Sequence, residues 1–203
     1  SGALTRWVLR AALVQLAQWE AQGVRVEMAV NFSATDILDT GMLQHVLEVL
    51  RDTQVAAGSL TIEITESVML NEPEAARRNM ELLRVAGVRI AIDDFGTGYS
   101  SLEYMKLFQV DGLKIDRAFI RNAHVNREDE AIIQAIVTLA HSLGIVVTAE
   151  GIETVEQQAC VQTCRCDEGQ GYLFGRPMTA RGFLDAARGT VGSKAAPPIA
   201  AAS

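Results

Sequence analysis

Apolar residues recur every three to four positions at the start of the chain, and Gly23 follows them. This spacing places apolar side chains on one face of a helix, and glycine often follows a helix end. A similar pattern over residues 128–143, followed by Gly144, predicts the strongest amphipathic helix. The first helix contains Leu4, Trp7, Val8, Ala11, Ala12, Leu16 and Trp19. Other helices are predicted through Leu43, Val46, Leu47 and Leu50; from Asn71 and Pro73 to Gly87, with Met80, Leu82 and Leu83 buried; from Ser100 to Leu107; from Val155; and from Ala180 to Ala187.

Short apolar runs alternate with these helical segments and predict strands. Such alternation is typical of a parallel α/β fold, either an open doubly wound sheet or a closed eight-stranded barrel. Thr61 and Glu63 face away from their apolar neighbours, which favours a barrel, because open parallel sheets are usually apolar on both faces. The predicted strands span residues 26–32, 60–64, 88–92, 112–115, 145–149 and 171–174.

The number of predicted strands falls short of a complete barrel. Six runs are present, whereas a (β/α)8 barrel has eight strands and usually about 250 residues. About two strands are therefore expected to be missing at the N-terminus, since the sequence opens within a helix. At the other end, residues 189–203 are rich in Ala and contain Pro197-Pro198. They are predicted to be a disordered tail that follows a single domain of residues 1–188.

Composition and charge narrow the functional classes. The chain has 203 residues, of which 49% are hydrophobic, and this fits one globular domain. A net charge of -7 argues against a nucleic-acid polymer as partner, because proteins that bind the phosphate backbone are usually basic. No apolar run reaches the roughly 18 residues of a membrane span, so no membrane contact is expected from this segment.

Three cysteines, Cys160, Cys164 and Cys166, fall within seven positions. A structural zinc site usually has four ligands, and the nearest histidine in the sequence is His141. Reduced thiols in a cytosolic domain are therefore the prediction for these residues.

Polar residues lie at or beside one end of every predicted strand. The carboxyl ends of parallel barrel strands share one face, where active sites lie, so these side chains are expected to lie together. Carboxylate and amide oxygens are the ligands that Mg²⁺ and Mn²⁺ prefer. The side chains concerned are Asn31, Glu63, Asp93, Asp94, Lys114, Glu150 and Gln170.

The Asp93-Asp94 pair is the most informative of these motifs. Neighbouring side chains on a strand point to opposite faces, so both carboxylates reach one site only where the strand gives way to a loop. Two such carboxylates can each bind one ion of a two-metal centre, whose ions lie about 3.5–4 Å apart and promote phosphoryl transfer. Lys114 can orient the attacking water or neutralise a phosphate oxygen.

Each motif also has a simpler interpretation. An Asp-Asp pair commonly caps a helix or forms a turn, and Gly96-Thr97-Gly98 can be a plain loop. Glu66 and Glu153 can be charges that the helix dipole favours at a helix N-terminus. An Asp-Phe-Gly motif also occurs in protein kinases, but this chain has no His-Arg-Asp catalytic loop. The metal site is favoured because the motifs occur together at successive strand ends.

In these motifs the chain resembles the EAL-domain cyclic di-GMP phosphodiesterases of bacteria, from the first helix to about residue 187. The resemblance implies a modified (β/α)8 TIM-like barrel that hydrolyses one phosphodiester bond of cyclic di-GMP to linear pGpG, with Mg²⁺ or Mn²⁺. It rests on Ala29-Val30-Asn31-Phe32-Ser33, Ile62-Glu63-Ile64-Thr65-Glu66-Ser67, Asp93-Asp94-Phe95-Gly96-Thr97-Gly98-Tyr99-Ser100-Ser101-Leu102, Lys114-Ile115-Asp116, Ala149-Glu150-Gly151-Ile152-Glu153 and Gln170-Gly171-Tyr172-Leu173-Phe174.

The resemblance also implies the metal ligands. Asn31, Glu63 and Asp93 would bind one metal ion. Asp94 would serve the second ion, with Asp93 as a candidate bridge between the two. The family signature Glu-Ala-Leu, whose glutamate is a further ligand, is expected on a strand before the first helix and is absent from this sequence, as is the substrate-contacting arginine that follows it.

Further roles follow from the same resemblance. Lys114 and Glu150 would position and deprotonate the attacking water, with Glu150 as general base. Glu66 would fix the loop after Asp93-Asp94, a loop that the family uses in dimerisation and in coupling to regulatory domains. The metal and water shell would be supported by Glu153, Gln170 and Asp116.

Two functions stay open at this point. The first is a phosphodiesterase, with the chain expected to be a piece of a longer enzyme and this piece inactive alone. The second is a catalytically silent module that binds cyclic di-GMP or passes a signal through a dimer surface. The partners implied are cyclic di-GMP, a second copy of the chain and regulatory or sensor domains of the parent protein, in the cytoplasm.

Overall fold

The structure is a computed structural model of the chain that describes residues 2–66, 68, 72–96 and 107–191. These residues divide into two compact units. Residues 2–90 and 177–191 belong to the first unit, and residues 91–176 belong to the second. Within the described ranges, no helix is both long and apolar enough to cross a membrane.

The first unit contains a parallel pair of strands whose connection runs through helices. In this pair Met28 lies opposite Leu60, and Asn31 lies opposite Glu63. A parallel pair needs such a crossover, which explains the helical segment between the two strands. The elements are α1 (Gly2–Ala21), β1 (Met28–Phe32), α2 (Ala34–Leu38), α3 (Thr40–Thr53), β2 (Leu60–Thr65) and α4 (Pro73–Val85). The last helix of the chain, α8 (Ala180–Val191), also belongs to this unit.

Helix α1 packs through a narrower face than the sequence pattern predicts. Leu16 and Trp19 are buried as expected, and the Trp19 ring lies 4.5 Å, centroid to centroid, from Phe183 of α8. Leu4 and Trp7, however, are 66% and 68% exposed. Trp7 is nine positions from Leu16, and at about 3.6 residues per turn this spacing places it on the opposite side of α1.

The short helix α2 explains the polar residue that follows β1. The Ser33 hydroxyl accepts a hydrogen bond from the Asp36 backbone N–H, and the Asp36 carboxylate accepts one from the Ser33 N–H. This reciprocal capping box satisfies two backbone donors at the start of the helix. The Asp36 carboxylate also accepts a hydrogen bond from Thr5 Oγ1 at 3.0 Å, which fastens α2 to α1.

The second unit carries strands whose order in space follows the chain. Parallel pairing joins β3 to β4, β4 to β5 and β5 to β6. Because all these strands run the same way, their carboxyl ends lie at one edge. The elements are β3 (Arg89–Phe95), which begins at the end of the first unit, β4 (Gly112–Ile115), α5 (Arg117–Ile120), α6 (Arg127–Ser142), β5 (Val146–Ala149), α7 (Val155–Thr163) and β6 (Glu168–Gly169).

Most predicted elements are confirmed, but the last strand is wrong. The β6 strand occupies Glu168–Gly169, and Thr148 and Ala149 of β5 are its partners. The apolar residues 171–174 form a turn instead, in which the Phe174 N–H donates to the Gly171 carbonyl oxygen at 3.1 Å. Their apolar character reflects packing of this turn: a Cβ added at Gly169 would lie 3.4 Å from the Phe174 ring.

Three further expectations need comment. Leu82 of α4 is 58% exposed, so its predicted burial is wrong, whereas Met80 and Leu83 are buried. Helix α8 continues to Val191, so the predicted tail does not begin at residue 189. Residues 192–203 and most of the helix predicted from Ser100 to Leu107 lie outside the described residues.

Candidate active site

A β-bulge brings Asp93 and Asp94 to the same site. Ile92 pairs with Leu113 and Phe95 pairs with Ile115, so β3 contains one residue more than β4 over this stretch. Asp94 is the extra residue, and its φ is 54°. Its backbone N–H donates a hydrogen bond to Asp93 Oδ1 at 3.1 Å. Asp tolerates the left-handed conformation better than most residues. The bulge therefore turns the two adjacent carboxylates to one side within the strand.

Lys114 links two of the site carboxylates. Its Nζ lies 2.7 Å from Glu150 Oε1 and 3.2 Å from Asp93 Oδ1. The Lys114 side chain is only 8% exposed, and those of Asp93 and Glu150 are 15% and 17% exposed. Ion pairs as sheltered as these are screened less than surface pairs, and removal of one partner leaves a costly buried charge.

Three carboxylates form a compact group around this lysine. One oxygen from each of Asp93, Asp94 and Glu150 lies within 4.8 Å of the others. Burial raises the pKa of Asp94, the charges of Asp93 and Asp116 raise it further, and the Lys114 ammonium opposes this. A hydrogen bond between the Asp94 and Asp116 side chains also raises it. The pocket thus concentrates negative charge that one ammonium compensates in part, and it suits a divalent cation.

Asp116 has a structural task as well. Its Oδ1 accepts a hydrogen bond at 2.8 Å from the Ala118 N–H, so it caps the short helix α5 after β4. The same carboxylate raises the pKa of Asp94 through its charge and through a side-chain hydrogen bond. The Asp116 side chain therefore lies beside Asp94, and its supporting role stays a prediction.

Backbone geometry fixes Glu150 at the end of β5. Its N–H donates to the Ile115 carbonyl oxygen at 3.1 Å, which extends the β4–β5 ladder by one bond. Gly151 then turns the chain with a φ of 71°, and a Cβ at that position would lie 2.5 Å from Cβ of Arg117. Only glycine fits here without displacement. The sequence analysis did not assign Gly151 a role, although a glycine directly after a strand-end glutamate was a usable signal.

Glu153 and Gln170 lie near the same edge but are not members of the three-carboxylate group. Glu153 is exposed, and its backbone N–H donates to Gln157 Oε1 at 2.7 Å in the capping box of α7. Gln170 bonds through its backbone to Ala149 and Ile152. These contacts position the backbone at both sites, and the supporting roles of the two side chains stay predictions.

The remaining site residues belong to the first unit. Asn31 of β1 lies directly opposite Glu63 of β2, so their side chains project from the same face of this strand pair. Asn31 is exposed and Glu63 is buried. Glu66, just after β2, is buried, and neither of its carboxylate oxygens has a hydrogen-bond partner among the described residues. Its predicted target, the loop after Asp93-Asp94, lies largely outside those residues.

Comparison with known proteins identifies the family. The pattern of the EAL domain matches residues 1–177, and the chain therefore belongs to the EAL domain family. The resemblance stated from the motifs is confirmed, and with it the α/β fold class of this family.

Two relatives carry names that describe an activity. Cyclic di-GMP phosphodiesterase PA2567 of Pseudomonas aeruginosa is 38% identical over 175 residues, covering 86% of this chain and 30% of that protein. Cyclic di-GMP phosphodiesterase PdeR of Escherichia coli is 33% identical over 180 residues, covering 89% and 27%. The chain spans only 21% to 30% of the length of the first curated relatives it matches.

Solved structures of similar proteins agree with this assignment. The EAL domain of Mycobacterium smegmatis DcpA superposes with a TM-score of 0.88 at 35% identity, covering 93% of this chain and 85% of that one. The PaMucR phosphodiesterase in complex with c-di-GMP gives 0.85 at 38% identity, with 89% and 74% covered. A manganese and cyclic di-GMP complex of Klebsiella pneumoniae BlrP1 gives 0.81 at 29% identity, with 88% and 45% covered.

Proposed function

We propose that this EAL domain, within its parent protein, hydrolyses cyclic di-GMP to linear pGpG. The observation that carries the proposal is the Lys114 ammonium joined to both Asp93 and Glu150 inside a compact group of three carboxylates. Phosphodiester hydrolysis needs a base for the attacking water and cationic compensation for the phosphate charge. The names of the relatives supply the substrate.

A divalent cation, Mg²⁺ or Mn²⁺, is part of this proposal. The oxygens of Asp93 and Asp94 are hard donors that lie close enough to bind a common ion, and an oxygen of Glu150, the proposed base, lies within 4.8 Å of both. Neighbouring structures were solved with calcium or manganese, which supports divalent cations as a class. When bound, such ions activate water and stabilise charge on phosphate oxygens.

Within the chain itself, Glu150 and Lys114 take the central roles. Glu150 is proposed as the general base that accepts the proton of the attacking water, because it is a carboxylate at the rim of the group with 17% of its side chain exposed. Lys114 holds Glu150 at 2.7 Å and so fixes the orientation of the accepting oxygens. Its charge also lowers the local negative potential that would repel a phosphodiester.

The other predicted residues keep their proposed roles. Asn31 and Glu63 are proposed as oxygen ligands, and their position opposite each other on β1 and β2 supports their acting as a pair. Asp116 is proposed to hold Asp94 in place. Glu66 is proposed to fix the loop after Asp93-Asp94, and Glu153 and Gln170 to support the metal and water shell.

Turnover by the full-length parent protein tests the proposal. We expect conversion of cyclic di-GMP to pGpG that EDTA abolishes and Mg²⁺ or Mn²⁺ restores. Glu150→Gln should lower kcat by about 100-fold or more, the usual contribution of a general base. Glu156→Gln, an exposed glutamate on α7, is the matched control and should keep full activity. Unchanged turnover in Glu150→Gln would contradict the assigned base.

The alternative of a silent binding module gives a distinct outcome. Cyclic di-GMP would then bind, as in the PaMucR and BlrP1 complexes, but pGpG would not form. A homodimer and regulatory domains in the parent are further proposals, which light scattering and the parent sequence would check. A cytoplasmic location is proposed because all three cysteines are free thiols, which fits a reducing compartment.

A further inference from the structure

A second cluster of metal-ligating groups lies where the start of α6 meets the end of α7. One carboxylate oxygen of Glu130 and the Sγ atoms of Cys160 and Cys164 lie within 4.8 Å of one another. Glu130 is in the first turn of α6, whereas Cys160 and Cys164 lie at the end of α7. The sequence analysis missed this cluster, because Glu130 is 30 positions before Cys160 and only the packing of two helices brings it near.

Helical spacing explains why the two thiols converge. Cys160 and Cys164 are four positions apart, and the Cys164 N–H donates to the Cys160 carbonyl oxygen at 3.0 Å, so both side chains lie on one face. Cys164 is only 1% exposed, and its thiol contacts the Glu130 carbonyl oxygen at 3.9 Å. Cys160 is half-buried, so a metal ion can reach its thiol from solvent.

The groups that surround the two thiols of this cluster are acidic. The pKa of Cys164 is raised to about 11, chiefly by burial and in smaller part by the neighbouring Cys160 and Glu130. Burial also raises the pKa of Cys160, with Glu130 as the second cause. Every charged group that acts on these two thiols is therefore negative or becomes negative on ionisation. An incoming cation would meet no positive group among those that act on the thiols, and it would displace the thiol protons on binding.

A disulfide is a poor alternative for the same pair. Cβ atoms four positions apart on a helix are separated by about 5–6 Å, whereas a disulfide needs roughly 3.5–4.5 Å. Oxidation would thus have to unwind the end of α7. A metal ion imposes no such constraint, since zinc–sulfur bonds are about 2.3 Å long and allow the two sulfurs to stay apart.

We propose that Glu130, Cys160 and Cys164 form a site for a thiophilic divalent cation of the zinc class, separate from the carboxylate group of the active site. The two thiols release their protons to solvent on binding, and water completes a tetrahedral shell. The ion would clamp the start of α6 to the end of α7. Cys166 is not a ligand in this proposal, because its sulfur lies outside the three-atom group.

Cadmium titration of the full chain tests this site. The titration is done in excess Mg²⁺, which occupies the oxygen sites. The thiolate-to-cadmium absorption band in the ultraviolet then reports sulfur ligation alone. We expect the band to saturate at one equivalent of Cd²⁺ and the thermal midpoint to rise with it. Both Cys160→Ala and Cys164→Ala should lose the band. Glu130→Gln should weaken Cd²⁺ binding by at least roughly 10-fold, the low end of what groups around a metal centre contribute.

Matched variants make the result decisive. Cys166→Ala removes a thiol from the same segment, and Glu128→Gln removes an exposed carboxylate from the same turn of α6, so both should bind Cd²⁺ like the unmodified chain. Absence of the band at one equivalent would overturn the proposal. Equal loss of the band in Cys166→Ala and Cys160→Ala would overturn the assigned ligands. Because Cys160 is half-buried, its variant stays informative even if Cys164→Ala fails to fold.

Discussion

The second unit contains two clusters of acidic groups that differ in their charge compensation. At the strand ends, Asp93 and Glu150 share the ammonium of Lys114. Between α6 and α7, the charges acting on Cys160 and Cys164 are all negative. The first cluster contains an internal cation, whereas the thiols of the second have pKa values that burial and acidic neighbours raise.

This difference separates two ways to prepare a cation site. A lysine beside carboxylates keeps the donors charged and ordered, at the cost of competing with the incoming ion. Protonated thiols need no internal partner, but the ion has to displace their protons. The backbone differs as well, since the carboxylates depend on a bulge and on Gly151, while the thiols lie on a regular helix.

Removal of the Lys114 ammonium should lower the free energy of unfolding more than any other substitution considered below. Lys114→Met leaves Asp93 and Glu150 without their ammonium partner, so we expect the free energy of unfolding in EDTA to fall by about 3 kcal/mol or more. Mg²⁺ should recover part of this loss, because it would take over the compensation. Chemical denaturation with and without Mg²⁺ measures both values.

Arg127→Gln is the control for this variant, since it removes one positive charge from an exposed position on α6. It should change the free energy of unfolding by less than about 0.5 kcal/mol. Equal effects of the two substitutions would show that Lys114 does not compensate a buried charge.

A substitution at Gly151, which turns the backbone next to Glu150 of the first cluster, should give the next largest loss of stability. Gly151→Ala places a Cβ at a positive φ and against Arg117, so we expect a loss of about 2–4 kcal/mol in stability and a displaced Glu150. Gly144→Ala is a matched control, because Gly144 has a φ of +73° and a Cβ there would meet nothing within 4 Å. Its loss should be limited to about 1–2 kcal/mol of backbone strain. Thermal unfolding of both variants distinguishes crowding from strain.

Helix α7 connects the two clusters, and its N-terminal cap provides a smaller test. The Thr154 hydroxyl accepts from the Gln157 N–H at 3.3 Å, and the Gln157 side chain caps in return. Thr154→Ala should cost about 1 kcal/mol of stability. The thiolate–cadmium band should stay unchanged, because Cys160 and Cys164 lie at the other end of α7. Loss of that band in Thr154→Ala would mean that the two ends of the helix are not independent.

Asp94 gives the smallest expected effect. Its pKa is raised above 3.8, chiefly by burial, so the folded chain binds this proton more tightly than the unfolded chain. Stability from this group is therefore present at low pH and decreases as pH rises from about 4 through the folded pKa. In EDTA at neutral pH, Asp94→Asn should increase stability by less than about 1 kcal/mol, because solvent screens this exposed carboxylate. A decrease in the free energy of unfolding of Asp94→Asn, measured by denaturant titration, would contradict the expected increase.

The sequence predicts the elements better than their boundaries. Alternating patterns locate the strands that contain Asn31, Glu63 and Lys114, because a buried strand needs a continuous apolar face. The last strand was misplaced, since the apolar residues 171–174 pack as a turn and the true strand, Glu168–Gly169, has no apolar residue to mark it. Periodicity detects burial but does not distinguish an apolar turn from an apolar strand.

The site was predictable in composition but not in geometry. The pair Asp93-Asp94 was expected to reach one site where the strand gives way to a loop, whereas the structure achieves this with a bulge inside β3. A one-residue excess depends on how two strands pair, and no local pattern encodes it. The contact between Glu130 and Cys164 is likewise a product of helix packing.

The bulge also has an evolutionary consequence. Because β3 carries one residue more than β4 between Ile92 and Phe95, loss of a single codon at Asp93 or Asp94 would restore regular strand pairing. Such a deletion removes one carboxylate of the pair and leaves the sheet register beyond it intact. A single genetic step of this kind is thus expected to abolish the proposed hydrolysis while strand pairing stays regular.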